Sequence, residues 1–369
     1  MRVLRWLSVL LLPALASCAA VPAAVTGAQL ANAVAPVAAA IAPAAPAPVP
    51  APAAPATATA SLSLQATDQP FRRGINVLGY DPYWTDASKR RFEWRHFDEI
   101  HRAGFDFVRV NLQAFKHMDS RNRLQPAWLT KLDDVVREAQ RAGLGVILDE
   151  HDFDACSSDL VLCRQKLPAF WEQVAPRYAN APRSVAFELL NEPHDKLDAA
   201  TWNSVFAELL TVVRQTNPTR IVVVGPTSWN SLKELPTLQL PNDPNLLVTV
   251  HYYEPFHFTH QGASWAGDVK SLHGITWGSD ADRAAVAADF DQVAAWSRAN
   301  NRPVLLGEFG AYEKSGTPEN LRVAYTAAVR GEAERHGFGW GYWQFEGDFI
   351  AWDMARQRWV EPILKALIP

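Results

Sequence analysis

The sequence predicts an α/β fold, a (β/α)8 TIM barrel over residues 70–369. Three observations support this prediction. About 300 residues follow the N-terminal segment, a common length for one such barrel. Eight short apolar runs alternate along them with longer amphipathic stretches, as parallel strands alternate with helices. Polar residues collect where the apolar runs end, at the face on which barrels carry their functional groups.

The elements can be placed one by one. The helix predicted over 128–142 carries Leu132, Val136 and Ala139 on one face and is followed by Gly143, a typical helix stop. A second helix, over 202–215, ends before Asn217-Pro218. A doubly wound open sheet is the alternative fold, but its usual Gly-rich phosphate turn is absent. The eight predicted strands are Arg73–Val77, Phe105–Asn111, Gly145–His151, Ser184–Asn191, Arg220–Val224, Leu247–His251, Pro303–Glu308 and Gly339–Gln344.

The composition narrows the class of function. The chain is 48% hydrophobic and 20% charged, as expected of a globular domain with a sizeable core. Its net charge is −4 and it has no long basic run, which argues against nucleic acid as a partner. Its 14 Trp are unusual. They predict either core packing or flat apolar surfaces on which sugar rings stack.

The N-terminus has the features of an export signal rather than of a folded element. Arg2 and Arg5 precede the apolar run of residues 7–16, which is too short to span a bilayer. We therefore expect a signal peptide over 1–18. The run ends Leu15-Ala16-Ser17-Cys18, which resembles a bacterial lipobox and predicts lipidation of Cys18. Ordinary cleavage near residues 14–16 is the alternative.

Residues 19–69 form an Ala/Pro-rich spacer, because proline at this density blocks a regular helix. We expect an exported monomer that is a periplasmic protein, an outer-membrane lipoprotein or a secreted protein. Any contact with a membrane would be made only through the lipid.

Two glutamates among the polar strand ends suit the cleavage of a glycosidic bond. One carboxyl group must stay protonated near neutral pH to donate to the leaving oxygen, and the other must be ionised. Glu192 and Glu308 fit these requirements, since neighbouring carboxylates push their pKa values apart. Chemistry alone does not say which glutamate does which. The strand ends that would meet at one face of the barrel are Arg109–Asn111, Asp149–His151, Asn191–Glu192, His251–Tyr253, Glu308–Gly310 and Trp343–Glu346.

Two segments resemble a known family. Phe187-Glu188-Leu189-Leu190-Asn191-Glu192-Pro193 is similar to the strand-four signature of glycoside hydrolase family 5, the former cellulase family A, and particularly to its bacterial endoglucanases. Leu305-Leu306-Gly307-Glu308-Phe309-Gly310 resembles its strand-seven signature. The resemblance covers roughly residues 70–365. The ordered set that carries it is Arg109, His151, Asn191, Glu192, His251, Tyr253, Glu308 and Trp343.

The resemblance implies a role for each of these residues. Glu192 would be the general acid/base and Glu308 the nucleophile of a retaining mechanism. Asn191 would bind the sugar 2-hydroxyl, and Arg109 and Tyr253 would lie beside Glu308. The remaining members would bind sugar hydroxyls, tune Glu192 or form the platform under the sugar: His151, His251 and Trp343.

The resemblance also implies a β-1,4-glucan polysaccharide or oligosaccharide as substrate, cleaved by an endoglucanase. A β-mannanase, an exo-acting β-glucosidase and a non-catalytic carbohydrate-binding lipoprotein are the alternatives. Three tryptophans in or near strand-end loops, Trp84, Trp229 and Trp265, either stack on sugars or pack in the core.

Several polar residues have simpler explanations. Glu188 is expected to pair with an Arg or His inside the barrel. The run Asp149-Glu150-His151-Asp152 contains metal-ligand types, but alternate residues of a strand face opposite ways, so we expect no metal and no cofactor. Cys156 and Cys163 are expected to form a disulfide in a polar loop, because an exported domain meets an oxidising compartment. Two free buried cysteines are the alternative.

Overall fold

The computed structural model describes residues 70–369, and in them eight parallel strands close into a barrel. The predicted TIM barrel is therefore confirmed. Each strand pairs with its neighbours in sequence, and the first strand also pairs with the eighth. The predicted signal peptide, spacer and lipidation site at Cys18 lie outside the described residues. The strands are β1 Arg73–Val77, β2 Phe107–Leu112, β3 Gly145–Glu150, β4 Val185–Glu188, β5 Val222–Val224, β6 Leu246–Tyr252, β7 Val304–Phe309 and β8 Gly339–Tyr342.

Helices connect the strands around the outside of the barrel. The connection from β5 to β6 departs from the pattern, since it holds only the short α6 Thr227–Asn230 and the 3-10 helix Leu232–Thr237. A hairpin of β9 Trp352–Asp353 and β10 Arg358–Trp359 follows β8. The helices are α1 Trp94–Arg102, α2 Pro126–Arg141, α3 Phe153–Ser158, α4 Leu160–Arg177, α5 Ala199–Thr216, α6 Thr227–Asn230, α7 Phe256–Thr259, α8 Asp280–Asn300, α9 Glu319–Arg335 and α10 Glu361–Leu367. None of these described helices is both long and apolar enough to cross a membrane.

Local sequence explains where the long helices begin and end. Pro126 opens α2, where a missing N–H costs no hydrogen bond, and Gly143 follows its end with a φ of 85°. Asp198 caps α5 by accepting a hydrogen bond from the Thr201 N–H at 2.8 Å. Both helices start two or three residues earlier than predicted, because these start signals precede the first apolar position.

The inside of the barrel has an apolar floor and a polar upper layer. The floor is a separate buried cluster with one or two residues from most strands: Phe71, Phe107, Ile147, Ala186, Ile221, Val223, Leu247 and Leu305. Along β2, Phe107 belongs to this floor, while Arg109 and Asn111 follow at intervals of two on the same face. The polar side chains therefore lie directly above a buried apolar layer.

Strand β7 contains an irregularity that lets Glu308 face the interior. The register between β6 and β7 shifts between Val250 and His251, so that His251 pairs with Glu308 rather than with Gly307. Leu305 already lies in the floor, and strict alternation would turn Glu308 outwards. The bulge brings Glu308 back into the barrel. Gly307 is required there, because an added Cβ would lie 2.5 Å from Thr249 Oγ1.

The structure joins Cys156 and Cys163 by a disulfide, with their Cα atoms 4.4 Å apart. The polar loop expected around them is instead two consecutive helices, α3 and α4, and both cysteines are buried. Asp159 makes this possible, since it ends α3 and caps α4 by accepting from the N–H groups of Val161 and Leu162. The bridge ties α3 to α4.

Candidate active site

Glu192 lies beyond the end of β4, in a strained backbone conformation. The strand ends at Glu188, and Glu192 has a φ of 39°, in the left-handed region that side chains rarely adopt. Its Oε1 atom lies 2.6 Å from Nδ1 of His251. The backbone is held on both sides, since the Asn191 N–H donates to Glu150 O at 2.8 Å and His194 Nδ1 lies 2.8 Å from Glu192 O.

Glu308 stands opposite, at the top of β7. Its Oε1 accepts a hydrogen bond from Nη1 of Arg109 at 2.7 Å, and its Oε2 accepts one from the hydroxyl of Tyr253 at 3.0 Å. Nδ1 of His251 is 3.6 Å from Oε2. One oxygen from each glutamate and one nitrogen of His251 all lie within 4.8 Å of one another. The structure thus brings the two predicted glutamates face to face.

Arg109 is the buried hub of the polar layer, and all five of its N–H donors are used. Two of them pair with Glu188 at 2.7 and 2.9 Å, as expected for that residue. The others reach Glu308, Asn191 Oδ1 at 2.7 Å and Asn76 Oδ1 at 2.8 Å. Arg109 therefore neutralises charge near Glu308 and orients Asn191 in one rigid arrangement.

Burial sets the protonation state of several groups in the cleft. Burial raises the pKa of Glu192 from its ordinary 4.5 to about 7, while the nearby His151 and Arg109 act in the opposite direction. Burial, and then the charge of Glu308, raise the pKa of Tyr253 well above its ordinary value, so this phenol remains a donor. Burial also lowers the pKa of His251 to about 4, so it is neutral near pH 6. Glu192 can consequently hold a proton at neutral pH.

Asn191 and His151 present polar groups to the cleft. Nδ2 of Asn191 is buried and has no hydrogen-bond partner within residues 70–369, so it is available to a ligand. His151 Nδ1 lies 2.7 Å from Asp149 Oδ2, so the other ring nitrogen, Nε2, can bind a different partner. Burial lowers the pKa of His151, but the Asp149 carboxylate outweighs it and holds the pKa above its ordinary value. The His151 ring is stacked with the indole of Trp343, with centroids 5.7 Å apart.

Aromatic side chains extend the cleft beyond the glutamates. Trp229, 50% exposed, stacks on His194 with a centroid distance of 4.6 Å, on the side of Glu192. Trp265 is 59% exposed and contacts His260 and Tyr312 near the loops after β6 and β7. The cleft has a volume of about 1170 Å³. Nine predicted site residues line it: His151, Asn191, Glu192, Trp229, His251, Tyr253, Trp265, Glu308 and Trp343.

Trp84 does not belong to this cleft. It is 5% exposed, packs against Trp128 and donates from Nε1 to Leu78 O at 2.7 Å. Of the two interpretations that the sequence left open, core packing is the one that the structure has. Trp84 is buried and Trp229 is exposed because the loops around them differ, and the hydrophobic periodicity of the sequence does not reveal how loops pack.

The spacing of Glu192, His251 and Glu308 does not by itself make a metal site. The three ligand-type atoms lie close enough for a divalent ion to bridge. Glu308, however, already accepts from Arg109 and Tyr253, and His251 contacts Glu192. A bound cation would share Glu308 with the Arg109 guanidinium, and the two positive charges would repel each other.

Sequence reasoning missed two asparagines that support the site. Asn76, at the end of β1, accepts from Arg109 and donates to Gly307 O at 3.1 Å, next to Glu308. Asn230 is fully buried, and its Nδ2 lies 3.2 Å from Nε2 of His251. The position of Asn76 at a strand end was a usable signal. Asn230 gave none, because it lies in a short turn after β5.

Comparisons with known proteins agree with this geometry. A family model described as Cellulase (glycosyl hydrolase family 5) matches residues 64–348. Endoglucanase H of Acetivibrio thermocellus is 31% identical over 264 residues, which are 71% of this chain and 28% of that protein. The chain therefore spans about a quarter of the length of this curated relative.

Two solved structures are similar over almost their whole length. Thermotoga maritima Cel5A in complex with cellobiose is 32% identical, with a TM-score of 0.76, and the match covers 81% of this chain and 98% of that one. The same enzyme in complex with mannotriose gives the same identity and coverage, with a TM-score of 0.77.

Proposed function

Because the chain belongs to glycosyl hydrolase family 5, we propose that it cleaves β-1,4-linked glucan chains internally, with retention at the anomeric carbon. One observation carries this proposal. Two carboxyl groups face each other across the cleft: burial raises the pKa of Glu192 to about 7, while Glu308 accepts hydrogen bonds from Arg109 and Tyr253. The pair thus contains a proton donor and a nucleophile.

The proposed reaction has two steps. In the first, Glu308 attacks the anomeric carbon while Glu192 gives its proton to the leaving glycosidic oxygen, so that one C–O bond forms and one breaks. In the second, Glu192 takes a proton from water, which attacks the same carbon and releases Glu308. Oxygens of the two groups within 4.8 Å suit this route, since inversion needs room for a water between carboxyl groups about 6.5–9.5 Å apart.

Other side chains position the sugar at the cleavage point. The unpartnered Nδ2 of Asn191 is suited to the 2-hydroxyl, a contact that strengthens as charge develops on the ring. Trp343, stacked with His151, offers a platform beneath the ring. Tyr253 and Arg109 keep the nucleophile in one orientation, which lowers the entropic cost of reaching the transition state.

Cleavage within a chain is supported by exposed aromatic residues that extend the cleft beyond the glutamates. Trp229 lies on the Glu192 side, and Trp265 lies near the loops after β6 and β7. Indole faces bind sugar rings by apolar contact without requiring a chain end. A β-mannan is the second candidate substrate, because Thermotoga maritima Cel5A has been solved in complex with both cellobiose and mannotriose.

The test is product analysis on carboxymethyl-cellulose, mixed-linkage β-glucan, mannan and xylan. We expect rapid loss of viscosity and release of oligosaccharides from the glucans, with β-configured products by NMR. Glu192→Gln and Glu308→Gln should each lose nearly all activity, whereas Glu172→Gln, on the exposed face of α4, should not. Release of only glucose from chain ends would show exo action. Absence of hydrolysis on all four polymers would contradict the proposal and favour a binding protein.

We also propose that the chain is an exported monomer carrying a lipid on Cys18. Support comes from Arg2, Arg5 and the apolar run before Leu15-Ala16-Ser17-Cys18. The Ala/Pro-rich spacer over 19–69 would then hold the enzyme away from the membrane. Mass spectrometry of mature protein from a bacterial host should find acylated Cys18 as the first residue, and Cys18→Ala should be released as soluble protein. An unmodified N-terminus elsewhere would rule out the lipid.

A further inference from the structure

Three consecutive residues after β5 adopt the left-handed backbone conformation, which is rare for residues other than glycine. Ser228, Trp229 and Asn230 have φ values of 55°, 59° and 55°. Such strain persists where the surroundings hold it in place, commonly at functional sites. The turn exposes Trp229 to the cleft and buries Asn230 completely. Gly225 makes room for it, since an added Cβ there would lie 2.1 Å from Asn230 Oδ1.

Asn230 ends a chain of hydrogen bonds that leads to the proposed acid. Its Nδ2 lies 3.2 Å from Nε2 of His251, and Nδ1 of the same ring lies 2.6 Å from Oε1 of Glu192. An amide NH2 can only donate, so His251 Nε2 must accept, and the ring proton then sits on Nδ1. Oε1 of Glu192 consequently receives a hydrogen bond from the ring.

The direction of this hydrogen bond decides where the acid proton resides. When Nδ1–H donates to Oε1, the proton of Glu192 is placed on Oε2. That atom has no hydrogen-bond partner within residues 70–369, and the side chain is 14% exposed to the cleft. In the opposite tautomer, bare Nδ1 would attract the proton to Oε1, away from the leaving oxygen.

We propose that Asn230 is a positioning residue that selects the Nδ1–H tautomer of His251 and so keeps the acid proton of Glu192 on the oxygen facing the substrate. The inference rests on the proposed function. Burial lowers the pKa of His251 to about 4, so the ring is neutral near pH 6 and a tautomer choice exists there. The charged and titratable groups acting on this ring are Glu192, Glu308, Arg109, Asp149 and His151.

The dependence on the leaving group tests this role. In the full chain, Asn230→Gly removes the side chain but keeps the left-handed backbone, and Asn230→Asp keeps the shape but presents an acceptor to Nε2. Cleavage of phenyl β-cellobioside needs the acid, because phenolate is a poor leaving group. The 2,4-dinitrophenolate of 2,4-dinitrophenyl β-cellobioside departs without being protonated. We expect kcat/KM on the phenyl substrate to fall on the order of 10- to 100-fold, with little change on the dinitrophenyl substrate. Asn230→Asp should lose more than Asn230→Gly.

The control is Asn301→Gly, a matched substitution at another left-handed asparagine, at the end of α8. It should change neither rate. Equal losses of the Asn230 variants on both substrates would reduce Asn230 to a structural role, and wild-type rates for Asn230→Asp would overturn the proposal. Nitrogen-15 NMR of labelled histidine should also show the Nδ1–H tautomer of His251 in the wild type. If the wild-type chain cleaves neither cellobioside, or if Glu308→Gly is fully active, the proposed function itself fails.

Discussion

Glu192→Gln should make the protein more stable at alkaline pH while abolishing activity. The pKa of Glu192 rises from 4.5 to about 7 because its carboxylate is buried. A carboxyl group whose pKa is higher in the folded state than in the unfolded state stabilises the fold at low pH. This stabilisation is complete below the unfolded-state pKa and is lost as the pH rises through the folded-state pKa. Each pKa unit corresponds to about 1.4 kcal/mol, so ionised Glu192 costs about 3 kcal/mol at pH 8. A neutral glutamine avoids that cost.

Urea unfolding of both proteins at pH 4.5 and pH 8 measures this effect. The difference in unfolding free energy between Glu192→Gln and wild type should grow by about 3 kcal/mol in favour of the variant as pH rises. Glu172→Gln, at an exposed helical position, should keep the wild-type pH dependence. A stability difference that does not change with pH would refute the raised pKa, and with it the assignment of Glu192 as the acid. The same pKa predicts that kcat/KM declines above about pH 7.

Three further experiments test the rest of the site and its frame. Glu308→Gly should be inactive, and azide should restore turnover with a glycosyl azide of inverted configuration; such rescue of a Glu192 variant instead would reverse the roles. Arg109→Lys should lower the unfolding free energy by about 2–6 kcal/mol, because an ammonium group has three donors where the guanidinium uses five, so at least two buried hydrogen bonds are lost; a loss below about 0.5 kcal/mol in urea unfolding would contradict the hub. Replacing Cys156 and Cys163 by alanine should cost about 2–3 kcal/mol by the same measurement, and unreduced, denatured Cys18→Ala protein should titrate no free thiol.

Much of the fold could be predicted because its signals are local. Alternating apolar and polar positions along strands such as β2 depend on a period of two that is written in the sequence. Helix ends are similarly marked, as Gly143 shows after α2. The convergence of strand ends in a closed barrel then brought Glu192 and Glu308 into one predicted site, since parallel strands carry their carboxyl ends to the same face.

The contacts that give the site its chemistry were decided by tertiary structure. The bulge that turns Glu308 inwards depends on the register of two strands about 50 residues apart in sequence, and no local pattern announces it. The contact of Asn230 with His251 likewise depends on a strained turn whose conformation only its neighbours impose. The sequence by itself therefore determined the barrel and the identity of its two central carboxyl groups. Only the packed structure decided their environment, because burial and long-range hydrogen bonds arise when distant segments meet.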